Sequence, residues 1–194
     1  MIQKLINHIV KNLPQCKREE LVDIEKSFET TIVKKKDYFL KTGTVCRYGG
    51  FVVEGCFRNY VISSEGKEIN TQFGFENWWI GDVASFVNRT LSKINIQALE
   101  DCYILTISAS EYDALLARSE CFTEYTQKLR SSAHLAAVMR FSKLSENANR
   151  RYELLLENFP GIEQRISQKH IASYLQITPE ALCRLKKLKY ESNS

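Results

Sequence analysis

The chain has 194 residues, 44% hydrophobic and 26% charged, with a formal net charge of +4. That is an ordinary globular balance, sufficient for one or two domains whose core needs no disulfide or metal staple. It excludes a collagen-like, a disordered or a membrane-spanning chain, since no apolar run approaches the ~18 residues of a membrane helix.

The first eight residues lack the apolar stretch and small-residue cleavage site of a signal peptide, so the expected location is the cytoplasm, with no membrane partner. Residues 1–28 read as helical. Leu5, Ile6, Ile9, Val10 and Leu13 recur at helical spacing, Pro14 interrupts, and Leu21, Ile24, Glu25 and Phe28 resume the pattern.

Residues 30–108 change character. Short β-rich runs at 30–33, 38–40, 51–53, 56–62, 69–75, 94–98 and 103–107 alternate with turns at 41–43, 54–55, 63–66 and 80–82. Many short strands at near-regular spacing predict a small antiparallel barrel or sandwich. Between two of them, Ser64-Glu65-Gly66-Lys67 predicts a hairpin turn, with Gly66 supplying a positive φ.

Residues 109–144 are helical again. Phe122, Tyr125, Leu129, Ser132, Ala136 and Met139 alternate spacings of three and four. Such a narrow stripe predicts a dimer interface between two copies of the helix. The same pattern also fits a helix laid on the barrel of its own chain. Residues 145–159 predict a further helix, with Arg150, Arg151, Glu153 and Glu157 outward and Tyr152, Leu155, Leu156 and Phe159 inward, stopped by Pro160-Gly161. The expected divisions are therefore 1–108, 109–144 and 145–194, with the boundary near Lys143.

The most informative stretch is 168–187. Ile171, Ala172 and Leu175 share one side of a first short helix, and Ala172 is small where a crossing helix must come close. Thr178 is a good N-cap, and Pro179 suits the first position of a second helix because its φ is preset and its missing N–H is not needed there. In that second helix Leu182, Leu185 and Leu188 form the buried stripe, while Glu180, Arg184 and Lys187 lie on the opposite face. Two short helices with a charged outer face are how a protein places a helix in the DNA major groove. Arg184 can bind guanine O6 and N7 bidentately, Glu180 can accept from cytosine N4, and Lys169, Lys186, Lys187 and Lys189 can touch phosphates. The plainer reading is an amphipathic helical hairpin whose Glu180–Arg184 pair is a surface ion pair. Gln176 stands where a helix end usually wants glycine, and holding it left-handed costs roughly 1 kcal/mol.

Other chemistry finds little support. The histidines, His8, His134 and His170, are dispersed, and residues 30–108 hold none, so no metal site is expected. The six cysteines, Cys16, Cys46, Cys56, Cys102, Cys121 and Cys183, form no C-x-x-C pair and read as free thiols. Cys183 is either a small buried residue or a redox-sensitive thiol beside DNA. Trp78 and Trp79 either line an apolar pocket or split between core and helix packing. No P-loop, dinucleotide fingerprint or nucleophile elbow is present, so the chain is not read as an enzyme.

A glycine-punctuated β domain, a long apolar-striped helix and then a helix-turn-helix follow the order of the Crp/Fnr family of bacterial regulators. The chain resembles that family at residues 39–43, 52–55, 65–68, 80–82 and 96–101, and most specifically at 168–187; residues 77–82 resemble its Bacteroidetes branch. The resemblance implies an α+β fold: an N-terminal antiparallel β-roll (a double-stranded β-helix like a cyclic nucleotide-binding domain), a long dimerisation helix and a C-terminal, winged helix-turn-helix. It implies a homodimer acting on a near-palindromic operator in double-stranded DNA, with RNA polymerase as a further partner. Glu180 and Arg184 match the base-reading pair, Thr178 and Gln168 match backbone-contacting positions, and Pro179 replaces an arginine. Gly81 and Asp82 match the pair that holds a ribose hydroxyl, and Ser92 and Lys93 fall where an Arg-Ser pair grips a cyclic phosphate. Lys93 offers a point charge instead of a fork, and Ala136-Ala137-Val138 replaces the family's Thr/Ser pair. These departures point to an unknown small-molecule effector, if any, and away from cyclic AMP. No cofactor is implied, and any wing would lie within 161–166. The alternative function is a ligand-binding sensor or interaction module that has lost DNA binding.

Overall fold

The structure, a computed structural model, describes residues 1–142 and 145–192, with side chains described to Leu188. The boundary expected near Lys143 and the side chain of Lys189 lie outside the described residues. Two compact units are present, one comprising 1–61 with 72–132 and the other 62–71 with 133–194.

The first unit begins with helices α1 (Ile2–Asn12) and α2 (Arg18–Lys26). Eight strands follow: β1 (Glu29–Val33), β2 (Tyr38–Leu40), β3 (Tyr48–Glu54), β4 (Phe57–Ile62), β5 (Glu68–Gly74), β6 (Trp79–Ile80), β7 (Asn95–Ala98) and β8 (Cys102–Ser108). They make two four-stranded sheets, ordered β1-β8-β3-β6 and β2-β7-β4-β5. The paired strands run antiparallel. A short helix, α3 (Val83–Asn88), lies within the 83–93 stretch that carried no strand signal.

Strands β3 and β8 read as nearly continuous apolar runs because both of their faces are covered. Side chains alternate across a strand. Val52 and Ile104 point into the roll with Val33, Leu40, Phe57, Ile80 and Ile96. Phe51, Val53, Leu105 and Ile107 point outward and bury Leu5, Ile6, Ile9, Leu13, Ile24 and Phe28. Val10, expected on the same stripe, is exposed. Gly50 allows the roll a close approach: a Cβ there would lie 2.9 Å from Ile80 and 3.1 Å from Phe39.

The helical region after β8 is two helices, α4 (Ala109–Arg118) and α5 (Glu120–Ser142), in place of one long dimerisation helix from 109. Ser119 makes the break. Its backbone is extended, at φ −123° and ψ 112°, and its hydroxyl accepts the Phe122 N–H at 3.1 Å, capping α5.

Two further corrections concern α5. Phe122 and Tyr125 are fully buried in the core beneath β3 and β8, so these two belong to their own chain and not to a partner, while Leu129 is partly buried against that core. Cys16 and Cys121 are joined in a disulfide rather than free, linking the α1–α2 connection to the first turn of α5. Their Cα atoms are 5.5 Å apart although 105 residues separate them in sequence, so no local spacing announced the pair. Cys46, Cys56 and Cys102 are buried free thiols.

The second unit holds α6 (Ala148–Asn158), α7 (Ile162–Arg165), α8 (Gln168–Leu175) and α9 (Pro179–Ser192), together with the second half of α5 and the β4–β5 turn. Tyr152 and Leu155 of α6 are buried, as expected. Arg151 instead turns inward, donating to the Leu175 carbonyl at 2.9 Å.

Candidate nucleic-acid interface

The charged face predicted for 168–187 forms as a surface. α8 ends in a left-handed residue, Gln176, at φ 54° and ψ 43°. The Ile177 N–H reaches the Ala172 carbonyl at 3.0 Å and the Gln176 N–H reaches Ser173 at 3.2 Å, the paired bonds of a Schellman motif. Two residues later Thr178 opens α9, its hydroxyl accepting the Ala181 N–H at 3.2 Å, with Pro179 at the first helical position. A left-handed exit followed at once by an N-cap sets α9 across α8. Ala172 and Leu175 of α8 and Leu182 of α9 are buried where the two helices pack.

Gln168 and Lys169 are exposed at the start of α8, and Thr178, Pro179, Glu180, Arg184 and Lys187 are exposed along α9. The Glu180 carboxyl is held below its usual pKa by its own backbone N–H first, then by the Thr178 hydroxyl and the Arg184 charge. An ionised carboxylate is acceptor-only and suits the donor of a cytosine amino group.

Three sequence expectations on α9 need correction. Leu188 is 62% exposed, so the buried stripe ends at Leu185. Lys186 is tied to Glu163, which also accepts from the Tyr152 hydroxyl at 2.8 Å, so it is not free for phosphate. Cys183 is exposed beside Arg184, not buried against α8.

In the β-roll two of the four residues expected to meet an effector, Asp82 and Ser92, are engaged with each other. One oxygen of Asp82 caps α3, accepting the Ala84 N–H at 3.1 Å and the Ser85 N–H at 3.2 Å. Its other oxygen accepts the Ser92 hydroxyl at 2.8 Å, and Ser92 is buried. Gly81 takes a positive φ of 154°, which side-chain-bearing residues rarely adopt, and Lys93 is exposed. An open cavity of about 300 Å³ is lined by residues of 38–48, including Tyr38, Lys41 and Thr44, and the Thr44 carbonyl accepts the Ser92 N–H at 2.9 Å. Trp78 is 37% exposed, and Trp79 packs into the helical core beside Phe28 and Phe51.

In the second half of α5, the structure shows what the stripe did not resolve. Every residue from 131 to 139 is exposed, including Ser132 and Ala136. Leu135 is 61% exposed, Val138 52% and Met139 50%. No described helix is long and apolar enough to cross a membrane, and no metal-binding group of His, Cys, Asp and Glu occurs among the described residues.

Residues 30–119 match the family model of the cyclic nucleotide-binding domain. Among solved structures, FixK2 from Bradyrhizobium japonicum is similar at a TM-score of 0.75 and 15% identity, over 86% of each chain. The c-di-GMP-responsive global regulator CLP of Xanthomonas campestris is similar at 0.73 and 13% identity, over 91% of this chain and 93% of that one. A Crp/Fnr-family transcriptional regulator from Eubacterium rectale is similar at 0.71 and 20% identity, over 94% and 87%. No curated protein matches by sequence.

Proposed function

We propose that this chain, which carries a cyclic nucleotide-binding domain on the fold of Crp/Fnr-family regulators, is a homodimeric, sequence-specific DNA-binding transcription regulator. The observation that carries the reading is the exposed row Glu180, Arg184 and Lys187 on a helix started by Thr178-Pro179 and backed by buried Leu182. A carboxylate and a guanidinium one turn apart can each read a base edge, while Lys187, Lys169 and Gln168 hold phosphates. Pro179 offers no donor, so the reading rests on few side chains.

The exposed apolar face of α5 around Leu135, Val138 and Met139 supports pairing with a second copy. An exposed helical stretch is marginal alone and stabilised when its apolar face is covered. Two recognition helices would then enter successive major grooves about 34 Å apart and read a near-palindrome. In the β-roll, Asp82 and Ser92 satisfy each other, and the cation at 93 is an exposed point charge, which supports an effector other than cyclic AMP. Such an effector acts only through different affinity for two arrangements of the dimer.

Selection from a pool of random duplexes tests the function. The expected result is an enriched two-fold motif bound with steep salt dependence. Arg184→Ala should cost about 1–3 kcal/mol on the selected site and relax preference at one base pair of each half-site. A pool that shows no enrichment at low salt sinks the proposal and leaves a sensor without DNA binding.

A further inference from the structure

Strand β5 is the outer strand of its sheet, following β4 in the order β2-β7-β4-β5. An outer strand presents backbone N–H and C=O groups from every second residue, and these need partners. Here the partner is a side chain of the helix-turn-helix. The Ser173 hydroxyl accepts the Asn70 N–H at 3.0 Å and donates to the Glu68 carbonyl at 2.9 Å. One hydroxyl thus bridges two residues on the same side of the strand, as a neighbouring strand would. The Asn70 side chain, itself 3% exposed, donates to the His170 carbonyl at 2.9 Å. Arg140 of α5 donates to the Thr71 carbonyl next along.

All of these groups lie in one compact unit, residues 62–71 with 133–194. The bonds engage a particular side of α8. Ile171, Ala172 and Leu175 face the buried side that packs against α9 and α6. At about 100° per residue, His170 and Ser173 fall on roughly the opposite side. The strand therefore holds α8 from behind while Glu180, Arg184 and Lys187 stay exposed.

We infer that the β4–β5 hairpin is a working part of the DNA-binding unit, and that Asn70 and Ser173 are positioning residues that fix α8, and through it the recognition helix α9, for binding. The inference rests on the DNA-binding reading above. It adds that the support a helix-turn-helix needs comes from a β-hairpin upstream in sequence.

The test uses the full chain and the duplex selected above, read by fluorescence anisotropy. Ser173→Ala and Asn70→Ala should each weaken binding about tenfold, the scale of one lost hydrogen bond. The loss should be equal on the selected duplex and on its single-base variants, unlike that of Arg184→Ala, because positioning residues carry no base preference. The double variant should lose less than the product of the two, since both act on one contact. Ser173→Thr keeps the hydroxyl and should restore affinity, whereas Ser173→Val, of the same shape, should not. Wild-type affinity in the alanine variants, tighter binding, or equal behaviour of the threonine and valine variants would overturn the inference. If the parent chain binds no duplex, the functional reading fails and amide exchange at Asn70 decides the contact itself. Exchange about tenfold faster in Ser173→Val than in Ser173→Thr supports it, and equal exchange overturns it.

Discussion

The Tyr125 hydroxyl accepts from Trp79 Nε1 at 2.9 Å and lies 2.7 Å from His8 Nδ1; donating its one proton to that nitrogen satisfies both groups. That arrangement requires His8 Nδ1 to be an acceptor and the ring to be neutral. Burial first, and Lys11 second, lower the His8 pKa from its ordinary 6.5. With the folded value below the unfolded one, the unfolded chain takes up the extra proton first as pH falls. The contribution of His8 to stability is therefore complete above about 6.5 and drains away as pH drops through the unfolded value towards the lowered folded one. Melting temperatures between pH 8 and 5 should show this decline, and His8→Gln, which keeps an acceptor but does not titrate, should flatten it. An unchanged slope in His8→Gln would assign the decline to other groups. Nothing in the helical pattern around His8 indicates this role, because the partners come from β6 and α5.

At the scale of elements, local chemistry was legible and pairing was not. Thr178-Pro179 and the Gly66 turn, with φ at 77°, were readable because capping and positive φ depend on adjacent residues. Gln176 belongs to the same class. It takes a left-handed conformation against its own preference, so Gln176→Gly should raise stability by about 1 kcal/mol in chemical denaturation. A neutral or destabilising result would mean that the Gln176 side chain does more than tolerate the turn. The α5 stripe illustrates the other class. A spacing of three and four reveals that one face is buried but not what buries it, and here the face is split. Phe122 and Tyr125 meet the core beneath β3 and β8, while Leu135 and Met139 are exposed. Leu135→Glu combined with Met139→Glu should therefore yield a folded monomer in sedimentation equilibrium at concentrations where the parent is a dimer. Phe122→Glu should instead unfold the first unit, because it buries a charge without a partner. A parent already monomeric at high concentration would remove the dimer from the proposal.

For the whole molecule, the covalent link between Cys16 and Cys121 closes a loop with a sequence separation of 105 residues. Around it, Gln15 donates to Glu124 at 3.1 Å, and Glu20 accepts the Cys121 N–H at 2.9 Å. The N-terminal helices are thus fastened to the start of α5 by several bonds, one of them reducible. Removing a crosslink of this span should cost roughly 2–5 kcal/mol. Cys16→Ser and reduction of the parent should lower the melting temperature by similar amounts, and reduction should then do nothing further to Cys16→Ser. Alkylation offers an independent check. Burial pushes the Cys102 thiol up to about 11 and raises that of Cys46, so neither should react in the folded chain, whereas exposed Cys183 should. Labelling of Cys16 before reduction would show that the bond is absent.

The hairpin at 62–71 has a bearing on how such a protein can be recombined. A chimera that exchanges only the stretch from 145 onward keeps the recognition helix and its caps, but separates Ser173 and His170 from the strand edge they meet. Its new host must supply at the same place an N–H, a carbonyl and an amide at matching heights, or leave a hydroxyl and an outer strand to water. Grafting this reader onto another sensor therefore takes two pieces of sequence, and drift in the turn between β4 and β5 has to be matched by drift in α8.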